Sequence, residues 1–167
     1  MAKKPSRKRS LNVLFEESFK KNWDRPALSN YNQKTLYYKD VARKIAELHL
    51  FFENCGLKKG DKIAVCSRNQ VNWAVAYLAG MTYGAVVVPI LHEFQPANLR
   101  HLVSHSEARV FFVGDNIWSN MSEMDLPGME VVVTLTDFKV VRSINPSAES
   151  FLEEIDSHME KRYPAGF

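Results

Sequence analysis

A chain of 167 residues, 46% hydrophobic and 25% charged, has the make-up of a soluble globular protein, and about 150 residues suffice to bury about 70% of the surface an unfolded chain exposes. The net charge of +3 is concentrated at one end: Lys3, Lys4, Arg7, Lys8 and Arg9 crowd the start, leaving 17 basic against 19 acidic residues, which excludes a basic nucleic-acid-binding body. Cys55 and Cys66 form neither a Cys-x-x-Cys pair nor a disulfide framework, and no charged-then-apolar leader precedes them, so a reducing, cytoplasmic setting is expected.

Residues 1–9 are expected to form a disordered basic arm, a solvated tail ahead of one folded domain at 10–167. It carries no interleaved aromatics and no second basic run follows, so nucleic acid is not an expected partner; association with an anionic membrane surface stays open. Ser10 suits the cap of a helix bearing Leu11, Leu14, Phe15 and Phe19. Residues 26–31 and 34–37 read as a small hairpin around Asn32-Gln33. Val41, Ile45, Leu48 and Phe52 form an apolar stripe opposed by Lys39, Arg43, Lys44 and Glu47, on a helix that ends at Gly56. Residues 62–67 then read as a strand.

Residues 69–91 contain no charge, and a run of about 20 such residues is long enough to span a bilayer. The interior of the run points elsewhere. Val71, Ala74, Val75, Leu78 and Ala79 recur at helical spacing on one face, with Trp73, Tyr77 and Met81 on another, and Gly84 suits a left-handed helix end. The β-branched residues 85–88 then stop at Pro89, so the run reads as a buried helix feeding a buried strand. Pro96 opens a helix with Leu99, Leu102 and Val103, leading to a strand at 109–113 and a Gly114-Asp115 turn. Residues 121–129, with Ser122, Pro127 and Gly128, are the one expected flexible connection, before a strand at 130–135. Ser150 and Glu153 have capping-box spacing ahead of a helix with Phe151, Leu152, Ile155 and Met159. Apolar strands alternating with helices predict an α/β fold: a mostly parallel sheet with helices on both faces, plus the amino-terminal hairpin.

The segment GLKKGDKIAVCSRNQVNW, carrying Gly56, Gly60, Asp61, Asn69 and Trp73, resembles the amino-terminal part of the acyl-adenylate-forming (AMP-binding) enzymes. GAVVVP at 84–89, PANLRHLVSHSEARVFFV at 96–113 and LFEESFKKNWDRPALS at 14–29 are similar to that family's neighbouring elements, in the same order. The arrangement is most like the long-chain fatty-acid CoA ligases. Two departures stand out. Tyr37-Tyr38 replaces the family's Thr-Tyr, removing a small hydroxyl cap worth about 1 kcal/mol, and residues 90–94 depart from the long-chain pattern after Pro89. The resemblance implies a parent enzyme that joins ATP and a fatty acid into an acyl-adenylate, then transfers the acyl group to coenzyme A, with Mg2+ at the phosphates. The Ser/Thr/Gly-rich phosphate loop of that family is absent from these 167 residues, as are Gly-x-Gly-x-x-Gly and Gly-x-x-x-x-Gly-Lys motifs. The chain is therefore expected to be an amino-terminal fragment, inactive alone, with no catalytic, cofactor-binding or metal residue of its own, no cofactor bound, and the rest of the ligase as its partner.

Other constellations have plainer readings. His101 and His105 are four apart on a helix, but no third ligand stands at helical spacing. Asp115 and Asp125 flank a short helix, but Gly114-Asp115 reads as a turn and a helix cap rather than as part of a carboxylate pair. Asn120-Met121-Ser122 is a glycosylation pattern without a leader. Trp73, Tyr77 and Met81 read as core rather than as an acyl pocket. The alternatives are a freestanding α/β nucleotide or small-molecule binding module and an adaptor that uses the basic arm. Apolar surface left open on a fragment also predicts a dimer, or an exposed face that includes the Trp73 helix or a sheet edge.

Overall fold

Residues 10–167 are described by the structure, a computed structural model; the expected basic arm lies outside the described residues. Helix α1 (Leu11–Asn22) begins where Ser10 turns extended and its Oγ accepts from the Val13 amide at 3.4 Å. Strands β1 (Pro26–Leu28) and β2 (Leu36–Tyr37) pair antiparallel. They are shorter than their sequence suggests because the chain between them swings into solvent, with Tyr31 fully outside and Asn32 at φ 55°.

Helix α2 (Tyr38–Asn54) lacks the small hydroxyl cap, and its first amides find other partners. Tyr38 and Lys39 donate to the carbonyls of Arg25 and Trp23 at 3.0 and 3.1 Å, and the Asp40 carboxylate accepts from the Tyr37 amide at 2.8 Å. The orphan donors of this helix start thus tie it to the turn before the hairpin.

The chain then runs through β3 (Lys62–Cys66), α3 (Val71–Tyr83), β4 (Val86–Pro89), α4 (Pro96–Ser106), β5 (Val110–Val113), α5 (Asp115–Trp118), β6 (Val131–Thr134), β7 (Val140–Ser143), α6 (Ala148–Glu153) and α7 (Ile155–Arg162). The four strands expected from sequence are neighbours in one sheet, order β4-β3-β5-β6, all parallel; β7 adds an antiparallel edge. Alternate residues face opposite layers. Ile63, Val65, Val110, Phe112, Val131 and Val133 pack under α2 and α3, while Ala64, Cys66, Phe111, Val113 and Val132 pack under α4. The uncharged run is a helix and an edge strand, and among the described residues no helix is long and apolar enough to cross a membrane. Gly84, at φ 94°, ends α3, and its amide and that of Ala85 return to the Gly80 carbonyl. Gly80 lets α3 sit down on the sheet: a Cβ there would lie 2.3 Å from Ile63 Cδ1.

Three expectations need correcting. Strand β7 has no counterpart in the reading, because the turn before it carries Phe138 at φ 57° rather than a glycine. Ser150 is not a cap: α6 starts at Ala148, where the Asn145 side chain accepts from the Ser147 amide at 3.0 Å, and a break at Glu154 separates α7. Residues 121–129 are tied down. Met121, Leu126 and Met129 are buried, and the Arg142 guanidinium donates to the carbonyls of Ser122 and Met124 while lying 4.8 Å from the Trp118 ring centroid.

At the amino-terminal end of the sheet, Arg109 closes the structure. Its Nε and Nη2 grip the Glu130 carboxylate at 2.6 and 2.8 Å, its Nη1 bonds Asp61, and the same nitrogens reach the Gly56 and Cys55 carbonyls at 3.3 Å, at the end of α2. The Lys58 amide, and after it the Arg109 guanidinium, hold the Asp61 carboxyl below the usual carboxylate range. The Gly60-Asp61 turn of the sequence motif is thus the seat of this staple; Gly60 stands at φ 92° and its amide donates to the Gly84 carbonyl.

Candidate functional site

The chain steps outward from β3 to β4 over one face of the sheet, then returns across β3 to β5 over the other. Right-handed crossovers put α3 and α4 on opposite faces, so the loops leaving β3 and β5 part company. In open α/β sheets ligands bind beyond the carboxyl strand ends at such a reversal. A crevice of about 410 Å³ opens there. Its wall comes from Ser67, Arg68 and Gln70 after β3, His92 and Phe94 after β4, Gly114 to Ile117 and Asn120 after β5, and Thr136 after β6, with Leu99 of α4 beneath.

The floor is tight. The Gly114 amide donates to the Cys66 carbonyl at 2.9 Å, and a Cβ on Gly114 would lie 3.0 Å from Ser67 Cβ, so a larger residue would have to push the two strand ends apart. Ser67 Oγ donates to the Arg68 carbonyl at 2.6 Å and accepts from Gln70 Nε2 at 3.1 Å. No imidazole or carboxylate bonds it, so it is held as a turn hydroxyl rather than activated as a nucleophile. The neighbouring Cys66 thiol faces the Leu91 carbonyl at 3.8 Å, and burial pushes it up to about 12, which keeps it protonated. Asp115 accepts from Thr136 Oγ1, and His92 Nδ1 lies 3.2 Å from Glu93 Oε2.

What remains is a polar rim: the exposed Arg68 guanidinium and the side-chain amide of Asn116, with the Thr136 hydroxyl left to accept and the Asn120 amide donating one bond to the Asn116 carbonyl at 2.8 Å. This set can orient a polar or anionic ligand by hydrogen bonds. It does not fit a magnesium triphosphate, which needs several convergent donors and free carboxylates. Among the described residues the crevice offers one Lys or Arg, Arg68, and its one carboxylate, Asp115, is taken by Thr136. Among the described residues no three His, Cys, Asp or Glu side chains cluster as metal ligands.

The residues singled out in the sequence are scattered. Trp73 and Tyr77 stack at 5.2 Å, half-buried, and neither they nor Met81 line the crevice. His101 and His105 stack at 5.9 Å on the exposed side of α4. Asp115 and Asn120 do line the crevice, whereas Asp125 is exposed in the following loop and its carbonyl accepts from Arg100. Sequence reasoning missed Ser67, Arg68, Gln70, His92, Asn116 and Thr136. Each lies within four residues of a strand's carboxyl end, and that position is the signal that finds them once the strand order is known.

Comparison with known proteins places this geometry. The family model described as AMP-binding enzyme matches residues 15–164. A long-chain-fatty-acid--CoA ligase of Escherichia coli O6:H1 is 30% identical over 112 residues, which are 67% of this chain and 20% of that protein. Surfactin synthase subunit 2 of Bacillus subtilis is 25% identical over 109 residues, 65% of this chain and 3% of its own length. Among solved structures, the anthranilate CoA ligase AuaEII in complex with anthranoyl-AMP superposes with a TM-score of 0.70 at 16% identity, over 75% of this chain and 25% of that one. The chain thus spans about a fifth of the ligase and a quarter of the solved structure it matches.

Proposed function

The chain belongs to the AMP-binding enzyme family, and from that premise we propose that it is the amino-terminal portion of an AMP-forming long-chain fatty-acid CoA ligase. The parent's reaction is ATP plus fatty acid plus CoA to acyl-CoA, AMP and pyrophosphate. The carboxylate oxygen bonds the α-phosphorus as pyrophosphate leaves, and the CoA thiol sulfur then bonds the acyl carbon as AMP leaves. The observation that carries the reading is the switch-point crevice, which opens at the strand ends where α/β enzymes hold ligands and is built by the elements that carry the family motifs. Similarity to the E. coli ligase supports the long-chain acid.

On this reading the crevice is one wall of the parent's ligand cleft. Arg68, Gln70, Asn116 and Thr136 orient and hold a ligand against it, and the groups that bind phosphates, Mg2+ and CoA belong to the remainder of the ligase. That remainder, or a second copy of this chain, covers the open side of β4, where Val86, Leu91 and Phe94 are 49%, 66% and 41% exposed. Pyrophosphate exchange tests the proposal. The 167-residue chain gives none with magnesium, ATP and a series of fatty acids, whereas the full gene product turns over with long-chain acids. Turnover by the chain alone overturns the fragment reading. Turnover of the full product with aryl or amino acids but no fatty acid overturns the substrate.

The crevice is formed wholly by this chain, which favours a second reading as a freestanding binding module. Calorimetry with AMP and ATP separates the two: saturable binding by the chain alone, lost in Arg68→Ala, supports the module.

A further inference from the structure

Helix α1 lies across α2 and α3 without closing the space beneath it, and none of its residues is fully buried. A pocket of about 290 Å³ remains there, walled by Phe15 and Phe19 of α1, Trp23 just after it, Ala42 and Ile45 of α2 and Leu78 of α3. All six are half-buried. Protein interiors leave few voids larger than a water molecule, so apolar walls from three helices that stop short of one another leave room for a bound molecule. The volume falls near the lower end of the range for small-molecule sites.

The polar side chains on the lining decide what kind of molecule that is. Asn12 Nδ2 donates to the Thr82 carbonyl at 3.0 Å, and Glu16 and Lys20 pair with each other. His49 Nε2 lies 3.0 Å from both the Ala79 carbonyl and Thr82 Oγ1, and since a carbonyl can only accept, Nε2 carries the hydrogen. Thr82 Oγ1 donates in turn to the Leu78 carbonyl at 2.7 Å. Burial pushes the His49 pKa down, which keeps the ring neutral. Each polar side chain of the lining is therefore already bonded to another group of the protein. A carboxylate or phosphate entering here would give up its water and find the one lysine already paired, a cost that an uncharged molecule does not meet. Three of the six apolar walls are aromatic rings, and such rings favour another ring set edge-on or offset against them.

We propose that the pocket between α1, α2 and α3 binds a compact, uncharged aromatic molecule. It shares no lining residue with the crevice at the strand ends, and the proposal does not depend on the ligase reading.

The test is a fluorescence titration of the full 167-residue chain with phenylnaphthylamine, an uncharged probe that brightens in apolar surroundings. Saturable binding of one probe per chain is expected. Naphthalene should displace it, and naphthoate, the same ring carrying a carboxylate, should compete at least about tenfold less well. Ala42→Leu fills the pocket from α2 with a good helix former, so probe affinity should fall by at least about tenfold while the unfolding transition holds or rises. A second readout uses the burial of both native cysteines: in Ala42→Cys the new thiol is the reactive one, and saturating probe should slow its alkylation by at least about tenfold. Four results would overturn the proposal: no saturable binding, naphthoate competing as well as naphthalene, affinity unchanged in Ala42→Leu together with an unprotected Ala42→Cys thiol, or protection of that thiol by self-association without any probe, which would assign the pocket to a second copy of the chain.

Discussion

At the amino-terminal end of the sheet Arg109 spends five N–H donors on five acceptors: two oxygens of Glu130, one of Asp61, and the carbonyls of Cys55 and Gly56. At the carboxyl end Arg68 stands on the rim of a crevice, exposed, with no ion pair among the described residues. The same strands supply both ends, so the difference is not one of secondary structure. One end has its polar groups satisfied internally and works as a clamp; the other has donors pointed at open space and works as a site. A polar cluster that is already saturated stabilises but has nothing left for a ligand. That contrast separates the structural arginine from the functional candidate, although both look alike in the sequence.

The contrast breaks most visibly at Arg109. Arg109→Met leaves the Asp61 and Glu130 carboxylates half-buried without their cation, and two carbonyls without a donor. Breaking such a pair from one side costs about 3 kcal/mol. Urea unfolding should show that loss with an unchanged slope. A change under about 0.5 kcal/mol, the range of ordinary surface substitutions, would mean the staple is decoration.

Next in size is the one tight contact of the open end. Gly114→Ala places a methyl 3.0 Å from Ser67 Cβ, between two strand ends joined by the Gly114 to Cys66 bond. Overpacking of this kind costs about 1–3 kcal/mol, and here it also pushes Ser67 into the crevice. Ligand binding should therefore fall together with stability, which distinguishes it from Arg109→Met.

Acid should loosen the closed end before the open one. The folded Asp61 carboxyl titrates below its unfolded value of about 3.9, held there first by the Lys58 amide and then by Arg109. The folded state therefore binds the proton less well than the unfolded state. The stability from this group is fully present above pH about 4 and is lost as the pH falls through the depressed folded value. Asp61→Asn should flatten this part of the stability-against-pH curve. An unaltered curve would show that other carboxylates govern it.

Much of this fold is legible in the sequence, and the reasons differ by element. The strands of the parallel core are short β-branched runs, and the glycines at 56, 60 and 84 stand at positive φ where turns require them, so local chemistry and fold agree. Strand β7 escaped because its turn uses Phe138 in the left-handed region, a conformation that side-chain type does not announce. The start of α6 escaped because the cue, Asn145 accepting from the Ser147 amide, is an ordinary loop pattern until its geometry is seen. The crevice was the least legible part. Its residues come from the ends of four strands, and only the order β4-β3-β5-β6 brings them together. The glycine-aspartate motif, for its part, marks a turn and a staple rather than a ligand site.

The smallest effect on stability is expected at Arg68, and it is the one that bears most on function. Arg68→Ala removes an exposed guanidinium that forms no ion pair among the described residues, so its unfolding free energy should stay within about 0.5 kcal/mol of the parent chain. If the rim of the crevice meets a ligand, the same change removes the only Lys or Arg among the described residues that line it. A charge-assisted hydrogen bond contributes about 1.5–3 kcal/mol, so turnover of the full gene product, as kcat/KM, should fall by about tenfold or more. Arg68→Lys keeps the charge but not the planar fork, so it should recover part of that loss. Arg109→Met supplies the opposite signature, a large loss of stability and, at temperatures where the variant remains folded, near-normal kcat/KM. Finding both variants equally active when folded would remove the crevice from the ligand path and leave the two ends of the sheet different in structure alone.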